Sequence, residues 1–67
     1  MHNNKEGDKI AFSLNGEEKQ GTILKIYTKI GFDDHGKEFV VIALSDAELT
    51  IYESEITMLK KNLVIIN

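Results

Sequence analysis

Lys9-Ile10-Ala11-Phe12-Ser13-Leu14-Asn15-Gly16 carries a period of two: Ile10, Phe12 and Leu14 alternate with Lys9, Ala11 and Ser13. Successive side chains of a strand point to opposite faces, so this pattern predicts a half-buried β-strand. Asn-Gly is the residue pair that a two-residue hairpin turn favours, so Asn15-Gly16 predicts a reversal. Residues 21–30 then read as a second, longer strand. Its apolar residues change face, from Ile23 to Leu24 and Ile26, which predicts a bend of the kind barrels require.

Further along the chain, residues 31–36 (Gly31-Phe32-Asp33-Asp34-His35-Gly36) read as a hairpin loop. Residues 39–44, apolar on both faces, read as the central strand. Ser45-Asp46-Ala47 reads as a tight turn, and Leu49 and Ile51, alternating with Glu48, Thr50 and Tyr52, as a fourth strand. Glu53-Ser54-Glu55 is expected to form one helical turn before a short strand at 56–59, with a further strand at 63–66 after the Lys60-Lys61-Asn62 break. A helical reading competes here. Ser45 and Glu48 have capping-box spacing, and Leu49, Tyr52, Ile56, Leu59 and Leu63 form a helical stripe. Strand-prone Thr50, Ile51, Tyr52, Ile56 and Thr57 favour strands. The expected core is Ile10, Phe12, Leu24, Ile26, Val41 and Leu49, with Phe39 also on the core stripe.

With 67 residues the chain holds one domain, residues 1–67, with a thin core. It has no Cys, so neither disulfides nor thiolate zinc sites support that core. The polar start, Met1-His2-Asn3-Asn4-Lys5, has no signal-peptide apolar region, and the longest apolar run is far shorter than a membrane helix. The expectation is a soluble, cytoplasmic protein. Net charge is -3, with eight Lys and no Arg. The bidentate fork that grips phosphates and guanine edges is therefore missing, which disfavours a nucleic-acid role.

Glu6-Gly7-Asp8-Lys9-Ile10-Ala11-Phe12 resembles the opening of the KOW motif, in which Gly-Asp leads into an alternating strand. Gly21-Thr22-Ile23-Leu24-Lys25-Ile26 resembles its close. The end of the chain, through Leu49-Thr50-Ile51-Tyr52-Glu53-Ser54-Glu55-Ile56, is similar to the last strands of small SH3-like barrels of the KOW and Tudor kind, where a short helical turn precedes the closing strand. The resemblance implies an all-β, SH3-like barrel of about five strands that binds RNA or protein, often in transcription or translation assemblies. Gly21 would let the second strand cross the first closely, where a side chain would collide. The first loop departs from the family: Asn15-Gly16-Glu17-Glu18-Lys19-Gln20 places two carboxylates where the family meets phosphate.

No catalytic set emerges. Ser13, Ser45 and Ser54 lack a glycine elbow, and His35 is the only His outside the N-terminal tail. Asp33-Asp34-His35 carries metal-ligand chemistry but lacks a fourth ligand and reads as a solvated turn. No metal and no cofactor are expected. Tyr27, Phe32 and Tyr52 lie off the strongest core stripe, so with Lys25 and Lys29 they form the candidate binding surface. Lys60 and Lys61 could join those lysines in a local basic face. Leu63, Val64, Ile65 and Ile66 must pair, either with the rest of the domain or with a second chain as an assembly strand, because an unpaired apolar strand invites aggregation.

The function expected is therefore a non-enzymatic binding module, a protein-interaction or regulatory subunit with a protein partner. A bacterial or phage origin is expected, since small acidic proteins of this kind are typical of phage or mobile-element cargo that binds a host protein. The alternative is a KOW-type RNA-binding or ribosome- or transcription-associated factor. Self-assembly through the C-terminal strand, giving a homo-oligomer, is a third reading.

Overall fold

The computed structural model describes residues 4–31 and 36–66. It is all-β, with five antiparallel strands in one sheet: β1 (Lys9–Leu14), β2 (Glu17–Lys29), β3 (Lys37–Ser45), β4 (Tyr52–Leu59) and β5 (Val64–Ile65). A 3-10 turn, η1 (Lys60–Asn62), separates the last two strands. The sheet order is β4-β3-β2-β1-β5.

β1 and β2 reverse through Asn15 and Gly16 at φ 53° and 83°, with Leu14 opposite Glu17. Two successive positive φ values define the type I′ turn, whose twist matches that of the strands it joins. β2 is long because it serves two neighbours, pairing with β1 through its first half and with β3 from Gln20 onward. The register slips between Ile23 and Lys25, so Leu24 is an extra, bulged residue and the strand bends there. Gly21 sits just before the bend. A Cβ there would run into the Ala43 carbonyl oxygen and lie 2.8 Å from Ile42 Cγ2. The close neighbour that requires glycine is thus β3, not β1.

The N-terminal turn is built onto this bend. Asp8 N–H donates to the Lys5 carbonyl (3.1 Å) and Gly7 takes φ 94°. Gly7 N–H donates to Ile23 O (2.7 Å) and Ile23 N–H to Asp8 O (2.9 Å). The Glu6 carboxylate accepts from the Ile26 amide at 3.0 Å. These bonds continue the β1 side of β2 beyond Lys9 and tie the N-terminal turn to β2 just before and just after the bulge.

β4 and β5 occupy opposite edges, yet only residues 60–63 connect them. Four inter-strand gaps of a flat sheet would span about 19 Å. Three residues rising about 2 Å each in a 3-10 turn, plus the flanking extended steps, reach only about 13 Å. The sheet must therefore curl, and η1 packs against β3. No ladder joins β4 to β5 among the described residues, so the sheet is not closed.

The inner face holds the core: Ile10, Phe12, Ile23, Val40 and Ile42 are buried, with Leu14, Ile26, Leu44, Ile56, Met58, Leu63 and Ile65 packed around them. Ile10, Phe12 and Ile26 thus meet the sequence expectation. Val41 does not, because β3 turns Val40 and Ile42 inward and leaves Val41 half-buried on the outer face. Leu24 is 46% exposed because it is the bulged residue. Leu49 lies in a loop at φ 60°.

The end of the chain needs further correction. β3 is interior but not central; β2 is the middle strand. Residues 46–51 are a loop, so the expected strand at Leu49 and Ile51 starts only at Tyr52. Glu53-Ser54-Glu55 is extended, and the helical turn comes later, at Lys60–Asn62. The competing helix from Ser45 does not form: Asp46, not Ser45, organises the turn and the chain pairs with β3. The C-terminal strand pairs within the chain, Phe12 with Ile65 and Ser13 with Val64. No described helix is long and apolar enough to cross a membrane.

Candidate functional site

β2 sends alternate residues outward after its bulge, so Lys25, Tyr27 and Lys29 share the outer face. Tyr27 is directly opposite Phe39, and Phe39 directly opposite Leu59. A row of Tyr27, Phe39 and Leu59 therefore crosses three strands. The Tyr27 and Phe39 rings stack, with centroids 5.7 Å apart and planes 17° apart. Lys25 Nζ lies 5.6 Å from the Tyr27 centroid and Lys29 Nζ 5.7 Å from that of Phe39. An ammonium near a ring face is attracted by the ring quadrupole. The aromatic pair thus holds its two lysines against the sheet.

Three of the sequence-predicted site residues, Lys25, Tyr27 and Lys29, come together here. Tyr52 does not belong to the assembled patch. It is at the opposite end of β3–β4, paired with Ser45, and its hydroxyl donates to Glu55 Oε1 at 3.3 Å. Its pKa is raised because local desolvation and then the Glu55 charge and hydrogen bond disfavour the phenolate. Phe32 lies outside the described residues, as do Asp33, Asp34 and His35. Phe39 is the residue sequence reasoning misplaced. Its run is apolar on both faces, and only the register with Tyr27 shows which face it takes.

The strand ends differ in charge. Lys29 lies opposite Lys37, and Lys60 and Lys61 follow β4 at the same end, beside Leu59 and Gly36. Lys60 Nζ approaches Glu38 Oε1 at 3.9 Å, an exposed pair of small energetic weight. The other end gathers Glu17, Glu18, Asp46, Glu48 and Glu53, because the start of β2 lies beside the end of β3 and the start of β4. On the inner side, a hollow of about 320 Å³ opens over Ile23, Ile26, Val40, Leu63 and Ile65, rimmed by Asn4 and Lys60. Among the described residues no group of three or more His, Cys, Asp or Glu is placed to hold a metal ion.

At the acidic end, Asp46 ties the loop together. Its Oδ1 accepts from Thr50 N–H at 2.9 Å, and its carboxylate also accepts from the Thr50 hydroxyl. These bonds, the Thr50 amide foremost, hold the Asp46 pKa below its ordinary value.

Comparison with protein-family models, with curated proteins and with solved structures finds no match to the chain.

Proposed function

We propose that the chain is a small non-enzymatic binding module whose outer β2–β3–β4 face takes an acidic, partly apolar segment of a partner protein. The observation behind this reading is the stacked Tyr27–Phe39 pair with Lys25 and Lys29 held over its rings. Aromatic side chains are enriched in protein interfaces, and the two lysines beside them supply the positive charge that an acidic segment complements. Each ring has its neighbour against it and an ammonium over it, so neither is an open platform for a nucleobase. The negative overall charge also leaves little counterion release to drive RNA binding.

An SH3-like barrel of the KOW and Tudor kind is the fold reading we attach to this proposal. Its support is the curled five-strand sheet, the glycine at position 21 beside the bend, and a helical turn directly before the last strand. The N-terminal Glu6-Gly7-Asp8 also has a structural task, tying the N-terminal turn to β2 on either side of its bulge. RNA binding in a transcription or translation assembly is the second reading, favoured by the gathering of Lys25, Lys29, Lys37, Lys60 and Lys61 toward one end of the sheet. A cytoplasmic setting suits either.

Capture from native lysate, with and without nuclease, tests the choice. The wild type is expected to retain a protein partner after nuclease treatment, and Lys25→Glu/Lys29→Glu to lose it. Capture that disappears with nuclease would replace this reading by the RNA one.

A further inference from the structure

The two edges of the sheet are not equally protected. β5 is two residues long, which is itself a safeguard against strand addition. β4 has eight residues, Tyr52–Leu59, and lies at the other edge with nothing paired to its outer side among the described residues. No Pro and no Lys interrupts it. Its one irregularity is at its start, where Leu44 faces Ser54 and Ser45 faces Tyr52, so that Glu53 is bulged. From Ser54 to Leu59 the edge is regular. It is also thinly covered: Ile56 and Met58 point toward the core but are only half-buried.

Charge runs along this edge. It begins with Glu53 and Glu55 and continues past its end into Lys60 and Lys61. An antiparallel copy of the same segment reverses that order, bringing acidic residues of one copy toward basic residues of the other. We propose that the chain forms a two-fold symmetric dimer by antiparallel pairing of β4 with β4 of a second copy. In an isologous pairing the residue on the axis meets itself. Centring on Thr57 sets Ile56 opposite Met58 of the second copy, so the two half-covered cores become continuous. It also brings Glu53 and Glu55 toward Lys61 and Lys60 of the second copy. Opposite charges across strands favour pairing, and the same geometry penalises a parallel arrangement. We place the contact on β4 and not on β5 at the other edge, because a two-residue strand offers a far shorter ladder than an eight-residue one.

The absence of Cys makes the proposal directly testable on the full chain. Thr57 is exposed on β4, and directly opposed residues in an antiparallel pair stand about 4.5–5.5 Å apart at Cα, within disulfide range. Thr57→Cys is expected to oxidise rapidly to a covalent dimer, whereas Val64→Cys, exposed on β5, is not. Sedimentation of the wild type should show a mass that doubles with concentration. Thr57→Lys, which sets two ammonium groups face to face, should raise the dimer Kd about tenfold or more while leaving the strand-type circular dichroism unchanged. A wild type that stays monomeric at millimolar concentration would overturn the proposal. So would a dimer indifferent to Thr57→Lys, or equal cross-linking through Cys at 57 and 64.

Discussion

The first hairpin, β1–β2, reverses in two residues, Asn15 and Gly16, both suited to positive φ. The second, β3–β4, reverses through residues 46–51, where Leu49 takes φ 60° and the Asp46 side chain reaches forward to Thr50. The strands differ in the same sense. Ile10, Phe12 and Ile23 of the first hairpin are buried; in β4 of the second, Ile56 and Met58 are half-buried and the rest of the apolar surface is outward or at the ends. In the first hairpin the turn chemistry and the burial pattern specify the same register. In the second, a side-chain hydrogen bond and the β3 ladder hold a turn that its own backbone preferences resist. β1, β2 and β3 share the buried core, Val40 and Ile42 of β3 included, and β4 is the strand that leans on it.

The largest expected effect tests that asymmetry. Phe12 is fully buried, and truncating such a ring costs about 3–5 kcal/mol. A core this small rarely supplies more than about 3–5 kcal/mol in total. Phe12→Ala should therefore show no cooperative unfolding transition in urea. Ile56→Ala, in the leaning strand, should cost about 1–2 kcal/mol, since part of its surface is already wet. Equal losses at both positions would mean that β4 holds the core as firmly as β1 does.

Gly21 comes next. It belongs to the first hairpin but is constrained by the second, since the atoms a Cβ would strike are Ala43 O and Ile42 Cγ2. Gly21→Ala should cost about 1–3 kcal/mol by overpacking, read as a lower urea midpoint with an unchanged slope. A neutral result would show that β3 shifts away at little cost, and would weaken the case that close approach at the bend requires glycine.

This contrast also explains what could be read from the residues alone. Ile10, Phe12, the Asn15-Gly16 turn and the bend near Leu24 are legible because local spacing and burial agree there. The bend was visible as a change of face, but which residue bulges outward is set by the ladder with β3, so Leu24 looked like core. Residues 39–44 are apolar on both faces, and periodicity cannot assign Phe39 or Val41 to a side; Tyr27 opposite Phe39 does so. Lys25, Tyr27 and Lys29 were therefore legible as surface, and their partner Phe39 was not. Leu49 and Ile51 imitate a strand because their alternation is genuine, but the preference of Asp46 for local hydrogen bonds ends β3 first.

The two turns offer a reciprocal pair of smaller effects. Gly16 is at φ 83°, so Gly16→Ala should destabilise by about 1 kcal/mol. Leu49 stands in the same left-handed region with a side chain that disfavours it. Leu49→Gly should relieve that strain and, after the extra backbone entropy of glycine in the unfolded chain, stabilise by about 0.5 kcal/mol. Thermal melts of both variants check the signs. Destabilisation by Leu49→Gly would mean that the half-buried leucine side chain contributes more through packing than its backbone costs, and the second turn would no longer count as a strained one.

The smallest effect concerns the second turn alone and depends on pH. Asp46 has its pKa lowered from 3.8, chiefly because its carboxylate accepts the Thr50 amide. A depressed folded-state pKa means that the folded chain binds its proton less readily than the unfolded chain does. The contribution is therefore fully present above 3.8, and is lost as pH falls through the lower folded value. The group is solvent-exposed, so the change should appear in the loop before it appears in global stability. Amide exchange of Thr50 should accelerate as Asp46 protonates, while Gly16, in the turn with no carboxylate holding it, should follow only the intrinsic pH dependence of exchange. Asp46→Asn should remove the acid sensitivity of the Thr50 amide while retaining a side-chain acceptor for it. Persistent acid sensitivity in that variant would assign the titration to another carboxylate of the acidic end, and the second turn would have to be held by its backbone bonds, Leu49 N–H to Asp46 O and Asp46 N–H to Ile51 O, without help from the charge.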